Sequence, residues 1–269
     1  MEETNIKPSP RTAQDRLYLA SASGLPEFRP AYDALSHMGF YNFNPDRIRD
    51  PQAAEPGDLL LRDGSNLTSV LSQLSRRQHH RKQRIEEYLA KVVPGIKGVD
   101  VKVMGSKATL EFRQQVAGAD EPWRFPAASM SDGTLRALGI LVSLFQGGNG
   151  EALSIPLVGI EEPETALHPA AAGVLLDSLR EASHGTQVMV TSHSPDLLDD
   201  TSLDTSAIFA VVAENGVTNI APVSESGRSA LKDGLYTAGE LLRMDQLQPD
   251  PESVAEQMKL RLFEKGNGE

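Results

Sequence analysis

Two adjacent carboxylates follow an apolar segment in the second half of the chain. Residues 157–160 (Leu-Val-Gly-Ile) are typical of a strand buried on both faces, and Glu161 and Glu162 come directly after them. Ligands bind at the carboxyl ends of parallel strands, and two acids there repel each other unless a cation or a proton lies between them. Nucleotide hydrolysis supplies such a cation, since one acid can hold Mg²⁺ while the next polarises the attacking water. The alternative is a solvated acidic loop after a buried strand.

A histidine follows the next apolar segment in a similar position. Residues 187–191 (Gln-Val-Met-Val-Thr) predict a second buried strand, and His193 comes 31 residues after Glu162. One helix with its two turns fills this separation, and such a crossover joins parallel strands, so both side chains are expected on the same rim of the sheet. A histidine there can donate a hydrogen bond to a phosphate oxygen. The alternative is a histidine with only a structural hydrogen bond.

The third candidate is the start of a long amphipathic helix. Ser131, Asp132 and Gly133 precede a helical pattern of apolar residues that continues to residue 145. Exposed amides, a serine hydroxyl and a glycine at a helix N-terminus form an anion site, since unpaired N–H groups and the helix dipole both favour phosphate. The alternative is an ordinary N-cap, with Ser131 or Asp132 starting the helix.

Taken together, these segments and their neighbours resemble the C-terminal half of an ABC-type ATPase head, from the branch that includes RecF-like, SMC-like and OLD-like proteins. The matching segments are the signature loop (130–134), the Walker B strand with the catalytic acid (160–164), the D-loop (165–169) and the switch-histidine loop (191–194). Residues 63–67 (Asp-Gly-Ser-Asn-Leu) and 237–242 (Thr-Ala-Gly-Glu-Leu-Leu) are similar to segments of bacterial predicted ATPases of this type. The resemblance covers roughly residues 17 to 250.

By this resemblance, Glu162 is the general base and His193 senses the γ-phosphate. Glu161 acts on Mg²⁺, in place of the commoner aspartate. Its extra methylene moves the carboxylate by about one bond length, which a water-bridged contact to the metal tolerates. The resemblance therefore implies ATP hydrolysis by in-line attack of water on the γ-phosphate, with ATP and Mg²⁺ bound.

The same resemblance gives the signature loop a role in a dimer of heads. Ser131, Asp132 and Gly133 would contact the γ-phosphate of a nucleotide bound to a second subunit, so the implied partner is a second copy or a complementing ATPase lobe. His168 departs from the aspartate of the D-loop in transporter ATPases, so the resemblance leaves its role open.

A phosphate-binding loop is missing from the sequence. No G-x-x-x-x-G-K-[ST] motif occurs, and the segments 95–97 and 105–107 lack its spacing. The family carries this loop in an N-terminal lobe, and without it the β- and γ-phosphates lose their main cradle. We therefore expect the chain to need such a lobe, whether the start codon is placed too late, the gene is truncated or the protein is split. The alternative is a catalytically inactive regulatory or interaction subunit that offers its signature loop to a partner ATPase.

The elements that must position these residues predict an α/β fold with a mostly parallel sheet flanked by helices. The expected divisions are a connecting region with helices and a small β-hairpin (1–120), the C-terminal ATPase lobe (121–248) and a helical tail (249–269). Apolar residues at helical spacing predict helices over 67–74 and 85–92. Alternating residues over 99–103 predict a strand before a hairpin turn, and Asn215-Gly216 predicts a second hairpin.

The composition fits a globular protein and narrows the function classes. The net charge of −11 and the pI of about 5.1 argue against a protein that binds nucleic acid over its whole surface. The basic run 76–84 is a possible nucleic-acid contact, although such runs more commonly lie on a solvated helix or an arm-like insertion. The absence of cysteine excludes disulfides, thiol nucleophiles and cysteine metal sites. With no apolar stretch of membrane-spanning length and no signal peptide, a cytoplasmic location without membrane partners is expected.

Overall fold

The computed structural model describes residues 18–54, 57, 59–147, 155–214 and 216–259. Its helices are α1 (Leu19–Ala22), α2 (Arg29–Ser36), α3 (Pro45–Arg49), α4 (Leu67–Arg77), α5 (His79–Val92), α6 (Asp132–Phe145), α7 (Ala172–Ser183), α8 (Pro195–Leu198), α9 (Glu225–Lys232), α10 (Ala238–Arg243) and α11 (Pro251–Lys259). Its strands are β1 (Gly39–Tyr41), β2 (Gln52–Ala53), β3 (Ile96–Met104), β4 (Lys107–Gln114), β5 (Trp123–Pro126), β6 (Leu157–Glu161), β7 (Gln187–Thr191), β8 (Phe209–Glu214) and β9 (Val217–Pro222). The last ten residues of the expected tail lie outside the described part.

A parallel sheet with the strand order β1-β6-β7 carries the candidate residues. In the central strand β6, Val158 pairs with Gly39 of β1 and with Val188 of β7. Val158 and Ile160 are buried, and on the helical side α6 packs on β1 and β6 while α7 packs on β7. The predicted α/β fold with a parallel sheet flanked by helices is confirmed.

The other face of this sheet is half exposed. Phe40 and Met189 are 50% and 48% exposed, and they flank Gly159, where a Cβ would come within 2.6 Å of the Phe40 ring. Among the described strands, β7 has a neighbour on one side only. The prediction that residues 187–191 form a buried strand is therefore wrong, because the face that carries Met189 is uncovered and only Val188 and Val190 pack toward the core.

An antiparallel sheet lies in the first half of the chain. Its order is β2-β4-β3, with β5 pairing on β4. The β3–β4 hairpin is the predicted one, and its turn uses Gly105 at a φ of 63°, a conformation that favours glycine. Helix α5 packs on both β3 and α6, and β1 joins the parallel sheet. The packing thus crosses residue 120, and the division of the chain at that point stays a prediction.

The basic run 76–84 spans the break between α4 and α5 at Gln78. Two of its cations attach α5 to the rest of the protein. Lys82 is 7% exposed, and its Nζ lies 3.6 Å from Asp100 Oδ1 of β3. Arg84 Nε donates to Glu181 Oε1 of α7 at 2.7 Å. The run therefore serves in part as a structural attachment, which leaves fewer cations for an external ligand.

The Arg84–Glu181 pair should make stability depend on pH. Arg84 lowers the pKa of Glu181, with a smaller contribution from the Tyr88 hydroxyl, which donates to Oε2 at 2.8 Å. A carboxyl whose pKa is lower in the folded state stabilises the fold above the ordinary glutamate pKa of about 4.3 and loses that contribution as the pH falls through its folded pKa. Because both side chains are more than a third exposed, we expect Arg84→Gln to reduce the free energy of unfolding by about 1 kcal/mol at pH 7.

Urea denaturation at pH 7 and at steps down to about pH 3 measures this effect. The difference between the parent and Arg84→Gln should shrink below about pH 4.3, where Glu181 of the unfolded chain becomes protonated. Arg29→Gln is the matched control, since Arg29 pairs with Asp33 on the exposed surface of α2. If the difference in unfolding free energy between the parent and Arg84→Gln stayed constant over the whole pH range, the stabilisation would not come from the ionised Glu181.

The C-terminal part contains the second predicted hairpin. Strands β8 and β9 pair antiparallel, with Phe209 opposite Pro222 at one end and Glu214 opposite Val217 at the other. Asn215 itself lies outside the described residues.

Helix α10 begins with a capping box: Thr237 Oγ1 accepts from the Glu240 amide at 3.0 Å, and the Glu240 carboxylate accepts from the Thr237 amide at 2.8 Å. Among the described helices, none is both long enough and apolar enough to span a bilayer.

Candidate functional site

Glu162 and His193 lie side by side at the carboxyl ends of β6 and β7. The two strands pair in parallel up to Glu161 and Thr191, so both segments leave the sheet at the same rim. His193 Nε2 is 3.8 Å from Glu162 Oε1, and these side chains are 90% and 48% exposed. The structure therefore brings together the acid and the imidazole, as the crossover between the strands predicts.

Glu162 has a backbone conformation that is rare for a residue with a side chain. Its φ is +42°, in the left-handed region where a Cβ crowds the backbone. The Glu162 amide donates to the Thr191 carbonyl at 2.9 Å, and the Glu162 carbonyl accepts from the Thr165 amide at 3.0 Å. Thr165 Oγ1 also donates to Glu162 Oε2 at 3.3 Å. Strained residues held in this way are concentrated at functional sites, so the turn distinguishes Glu162 from the acid before it.

The turn after Glu162 leads into α7. Ala166 also has a positive φ, of 66°, and the Leu167 amide donates to the Glu164 carbonyl at 3.0 Å. His168, whose role the sequence leaves open, accepts at Nδ1 from the Ala170 amide at 3.2 Å. The structure therefore gives His168 a capping role before the helix.

Glu164 and Ser192 join the loops that follow β6 and β7. Ser192 Oγ donates to Glu164 Oε1 at 2.6 Å, and the Ser194 amide donates to Ser192 Oγ at 3.0 Å. The second carboxylate oxygen of Glu164 is buried and has no hydrogen-bond partner in the described part of the chain. This link holds the loop of His193 against the turn of Glu162. Sequence reasoning missed it, because the two residues belong to different segments and neither has a distinctive neighbourhood.

Both carboxylate oxygens of Glu161 have donors. Asn42 Nδ2 donates to Oε2 at 2.6 Å, and Arg62 Nη2 donates to Oε1 at 3.1 Å. Asn42 directly follows β1, the parallel neighbour of β6, and Arg62 lies in the loop before α4. Sequence reasoning missed both donors, although the position of Asn42 at the end of a short strand is a signal of the kind that identified His193.

The acids at this rim form a donor set of the kind that Mg²⁺ prefers. Glu161 and Glu162 are adjacent and about half exposed, so a hydrated cation has access to hard oxygen ligands. In the part of the chain that the structure describes, no group of three or more acidic, histidine or cysteine side chains could hold a metal ion. A cation here would take its remaining ligands from water and from a nucleotide phosphate. It would share Glu161 with the Arg62 guanidinium.

Ser131 begins α6 as its N-cap. Its hydroxyl oxygen accepts from the Thr134 amide at 3.2 Å, and Asp132 pairs with Arg49 of α3. Within the described residues, the amides of Asp132 and Gly133 donate to no acceptor. The Ser131 side chain is thus an ordinary cap, while the helix still presents two unpaired amides of the kind that bind anions.

Gly133 brings the start of α6 against the turn that follows Glu162. A Cβ at Gly133 would overlap the carbonyl oxygen of Ala166, so only glycine permits this approach. The three segments that the sequence singles out are therefore connected: the start of α6 touches the turn of Glu162, and that turn is bonded to the loop of His193 through Glu164. Their chemical roles stay predictions.

Comparison with known proteins gives one family match. The family model described as "AAA domain, putative AbiEii toxin, Type IV TA system" matches residues 15–199. No curated protein matches the chain.

Several solved structures have a similar arrangement of elements. One, described as "Structural biochemistry of ATP-driven dimerization and DNA stimulated activation of SMC ATPases", is 17% identical over 61% of this chain and 96% of its own, with a TM-score of 0.42. The Smc head domain with a coiled coil and joint from Pyrococcus yayanosii is 19% identical over 61% of this chain and 31% of its own, with a TM-score of 0.43. The SMC head domain from Thermotoga maritima is 16% identical over 58% of this chain and 52% of its own, with a TM-score of 0.38. The chain spans less than two thirds of the last two structures.

Proposed function

The chain belongs to the family of AAA domains described as putative AbiEii toxins of type IV toxin–antitoxin systems, and we propose that it is the C-terminal lobe of an ATPase head that binds and hydrolyses ATP in the cytoplasm. The matched region includes residues 130–134, both acids at the end of β6 and His193. Family membership establishes the class of ATPase domain, and the proposal assigns the reaction to particular residues.

The observation that carries the proposal is the pairing of Glu162 with His193. An exposed carboxylate on a strained turn lies 3.8 Å from an exposed imidazole, at the strand ends where ligands of α/β proteins bind. A purely structural acid gains nothing from a positive φ, which costs about 1 kcal/mol or more in a residue with a side chain. The strain is accounted for if the turn must aim the carboxylate at a substrate.

In the proposed reaction, Glu162 accepts a proton from the water that attacks the γ-phosphorus, and the bond from phosphorus to the β,γ-bridging oxygen breaks. His193 donates a hydrogen bond to a γ-phosphate oxygen, where negative charge is held during transfer. Ser192 and Glu164 keep the two loops together, so that the acid and the imidazole act on the same phosphate.

Glu161 is the proposed contact to Mg²⁺, through water. The metal, when bound, neutralises phosphate charge. The role of this chain is then to hold the Glu161 carboxylate in place, and Asn42 does so from the neighbouring strand. The Arg62 guanidinium donates to the same carboxylate, so its positive charge would lie there together with that of the metal.

The start of α6 is the proposed contact to a nucleotide on a second subunit. The unpaired amides of Asp132 and Gly133 and the helix dipole favour a phosphate, and Ser131 shapes the turn that exposes them. A dimer of heads, formed by two copies or by this chain and a complementing ATPase, would place each signature loop on the nucleotide of the other subunit.

The missing phosphate-binding loop is the reason to expect a further lobe. The sheet also supports this expectation. Gln187 donates to the Pro156 carbonyl and Thr191 accepts from Glu162, so the backbone groups of Val188 and Val190 point away from β6. Parallel sheets are ordinarily covered on both faces, whereas among the described residues this one has an unpaired edge and a half-exposed face.

We expect the 269-residue chain alone to release no phosphate from ATP above the background rate, because it lacks the loop that cradles the β- and γ-phosphates. Release of labelled phosphate from ATP and Mg²⁺ over several hours measures this, with the Glu162→Gln chain as the matched background. Turnover by the parent chain that Glu162→Gln removes would contradict the expectation and point to a different phosphate cradle.

The second candidate function is an inactive subunit that lends its signature loop to a partner ATPase. The Arg62–Glu161 pair favours it, since the carboxylate proposed for Mg²⁺ already has a cationic partner. The deciding experiment adds a separately produced phosphate-loop lobe from an intact member of the family and measures turnover. Turnover that depends on both Glu162 and the lobe supports the ATPase. Turnover by the partner that depends on Ser131 but not on Glu162 supports the inactive subunit.

A further inference from the structure

Helix α10 packs closely on α8, the short helix that follows the loop of His193. The segment 237–242 lies outside the matched family region, and the proposed reaction uses none of its residues. A Cβ at Gly239 of α10 would overlap the carbonyl oxygen of Pro195, the first residue of α8, and the Asp199 carboxylate that follows α8. Pro195 is two residues after His193. Any side chain at Gly239 would therefore push α8 and the histidine loop outward.

Polar contacts hold the same two helices together. Thr237 Oγ1 donates to Asp199 Oδ1 at 2.6 Å. Arg243 Nη2 donates to Asp199 Oδ2 at 2.8 Å and to Asp196 Oδ1 at 3.1 Å. Arg243 and Thr237 also lower the pKa of Asp199, as expected for a carboxylate that both of them stabilise. Hydrogen bonds to an ionised carboxylate are stronger than those between neutral groups, so the bonds from Thr237 and Arg243 should hold α10 against α8 although they lie at the surface.

The position of His193 depends on its loop, since the imidazole itself is 90% exposed and its one described contact is Glu162. One end of the loop is fixed by β7 and by the Ser192–Glu164 bond. The other end is α8, only four residues long. Buried Leu197 anchors α8 toward the core, and α10 supplies its polar anchors.

We propose that Thr237, Gly239 and Arg243 of α10 are positioning residues that fix α8 and thereby hold the His193 loop beside Glu162. The functional consequence rests on the proposed role of His193 in ATP hydrolysis. The positioning itself does not, and it can be measured on the chain without nucleotide.

The test compares Thr237→Val with the parent chain by two measurements. The ring ¹H–¹³C signals of the six histidines are recorded by NMR, and the His193 signal is assigned with His193→Gln. Amide exchange of the segment 192–199 is followed by mass spectrometry. We expect Thr237→Val to shift the His193 signal and to speed exchange of 192–199 about tenfold, because it removes a charge-assisted bond to Asp199. Thr237→Ser, which keeps the hydroxyl, should restore both.

Ser224→Ala is the matched control, since Ser224 caps the nearby helix α9 through the Gly227 amide and has no bond to α8. A general loss of stability would affect both variants alike. The proposal is overturned if Thr237→Val leaves the His193 signal and the exchange of 192–199 unchanged, or if Ser224→Ala changes them as much. If Thr237→Val does not fold, Arg243→Gln is measured with the same expectation. A different experiment tests the proposed function. If His193→Ala does not change ATP turnover by the chain complemented with a phosphate-loop lobe, the proposed role of His193 fails while the positioning by α10 can still hold.

Discussion

Glu162→Gln should lower ATP turnover by a factor of about 10²–10⁴ in the chain complemented with a phosphate-loop lobe, the range typical for loss of a general base. Glutamine keeps the shape of the side chain and one acceptor oxygen, but it cannot take the proton from water. Glu162 is also about half exposed, so the substitution removes no buried charge and should leave the fold intact. ATP binding and ATP-dependent dimers should persist or become more stable.

Phosphate release and a separate nucleotide-binding measurement distinguish the two effects. Glu214→Gln is the matched control, because Glu214 is an exposed acid at the end of β8, outside the candidate site. Equal turnover by the parent and the Glu162→Gln protein would remove Glu162 as the base. It would then leave the positive φ at this residue without a catalytic explanation.

Gly133→Ala should destabilise the chain by about 1–3 kcal/mol, the usual cost of inserting a methyl group where no space exists. In an ordinary helix position the same change stabilises by up to about 1 kcal/mol, since alanine has the higher helix propensity. At Gly133 the overlap outweighs the propensity, because the obstructing atom is the backbone carbonyl oxygen of Ala166. That residue is itself held at a positive φ and has little freedom to retreat.

Urea denaturation of the chain as it stands measures this prediction, without nucleotide or partner. Gly173→Ala is a closely matched control: Gly173 is the second residue of α7, as Gly133 is of α6, and a Cβ there meets nothing within 4 Å. The two substitutions should therefore have opposite signs. Equal stabilisation by both would show that α6 and the Glu162 turn are not in close contact.

The elements that the sequence predicts well are those with a local cause. The apolar segments before Glu161 and before His193 form adjacent parallel strands, and the hairpin at Gly105 follows from one residue that tolerates a positive φ. The strand β7 differs from its prediction because burial depends on what covers a strand, and an apolar run has the same composition at an edge and in the centre of a sheet.

The contacts that complete the candidate site have no local cause. Asn42 and Arg62 reach Glu161 from segments that precede it by 119 and 99 residues, and side-chain pairs at such separations leave no periodic pattern. The positive φ of Glu162 likewise follows from bonds to Thr191 and Thr165 that only the folded chain makes. The sequence therefore locates the acids and the histidine, while the geometry that distinguishes Glu162 from Glu161 comes from tertiary structure.

The open face and edge of the parallel sheet have a consequence for the solution behaviour of the chain. In the described part of the chain, Phe40 and Met189 are exposed and the outer edge of β7 has no partner strand, so other strands can pair with this surface. The net charge of −11 opposes the approach of a second copy. Salt shortens the reach of that repulsion to about 10 Å at 0.1 M. Colloidal stability of the isolated chain should therefore decrease as ionic strength rises, so dilute low-salt buffers suit its purification best.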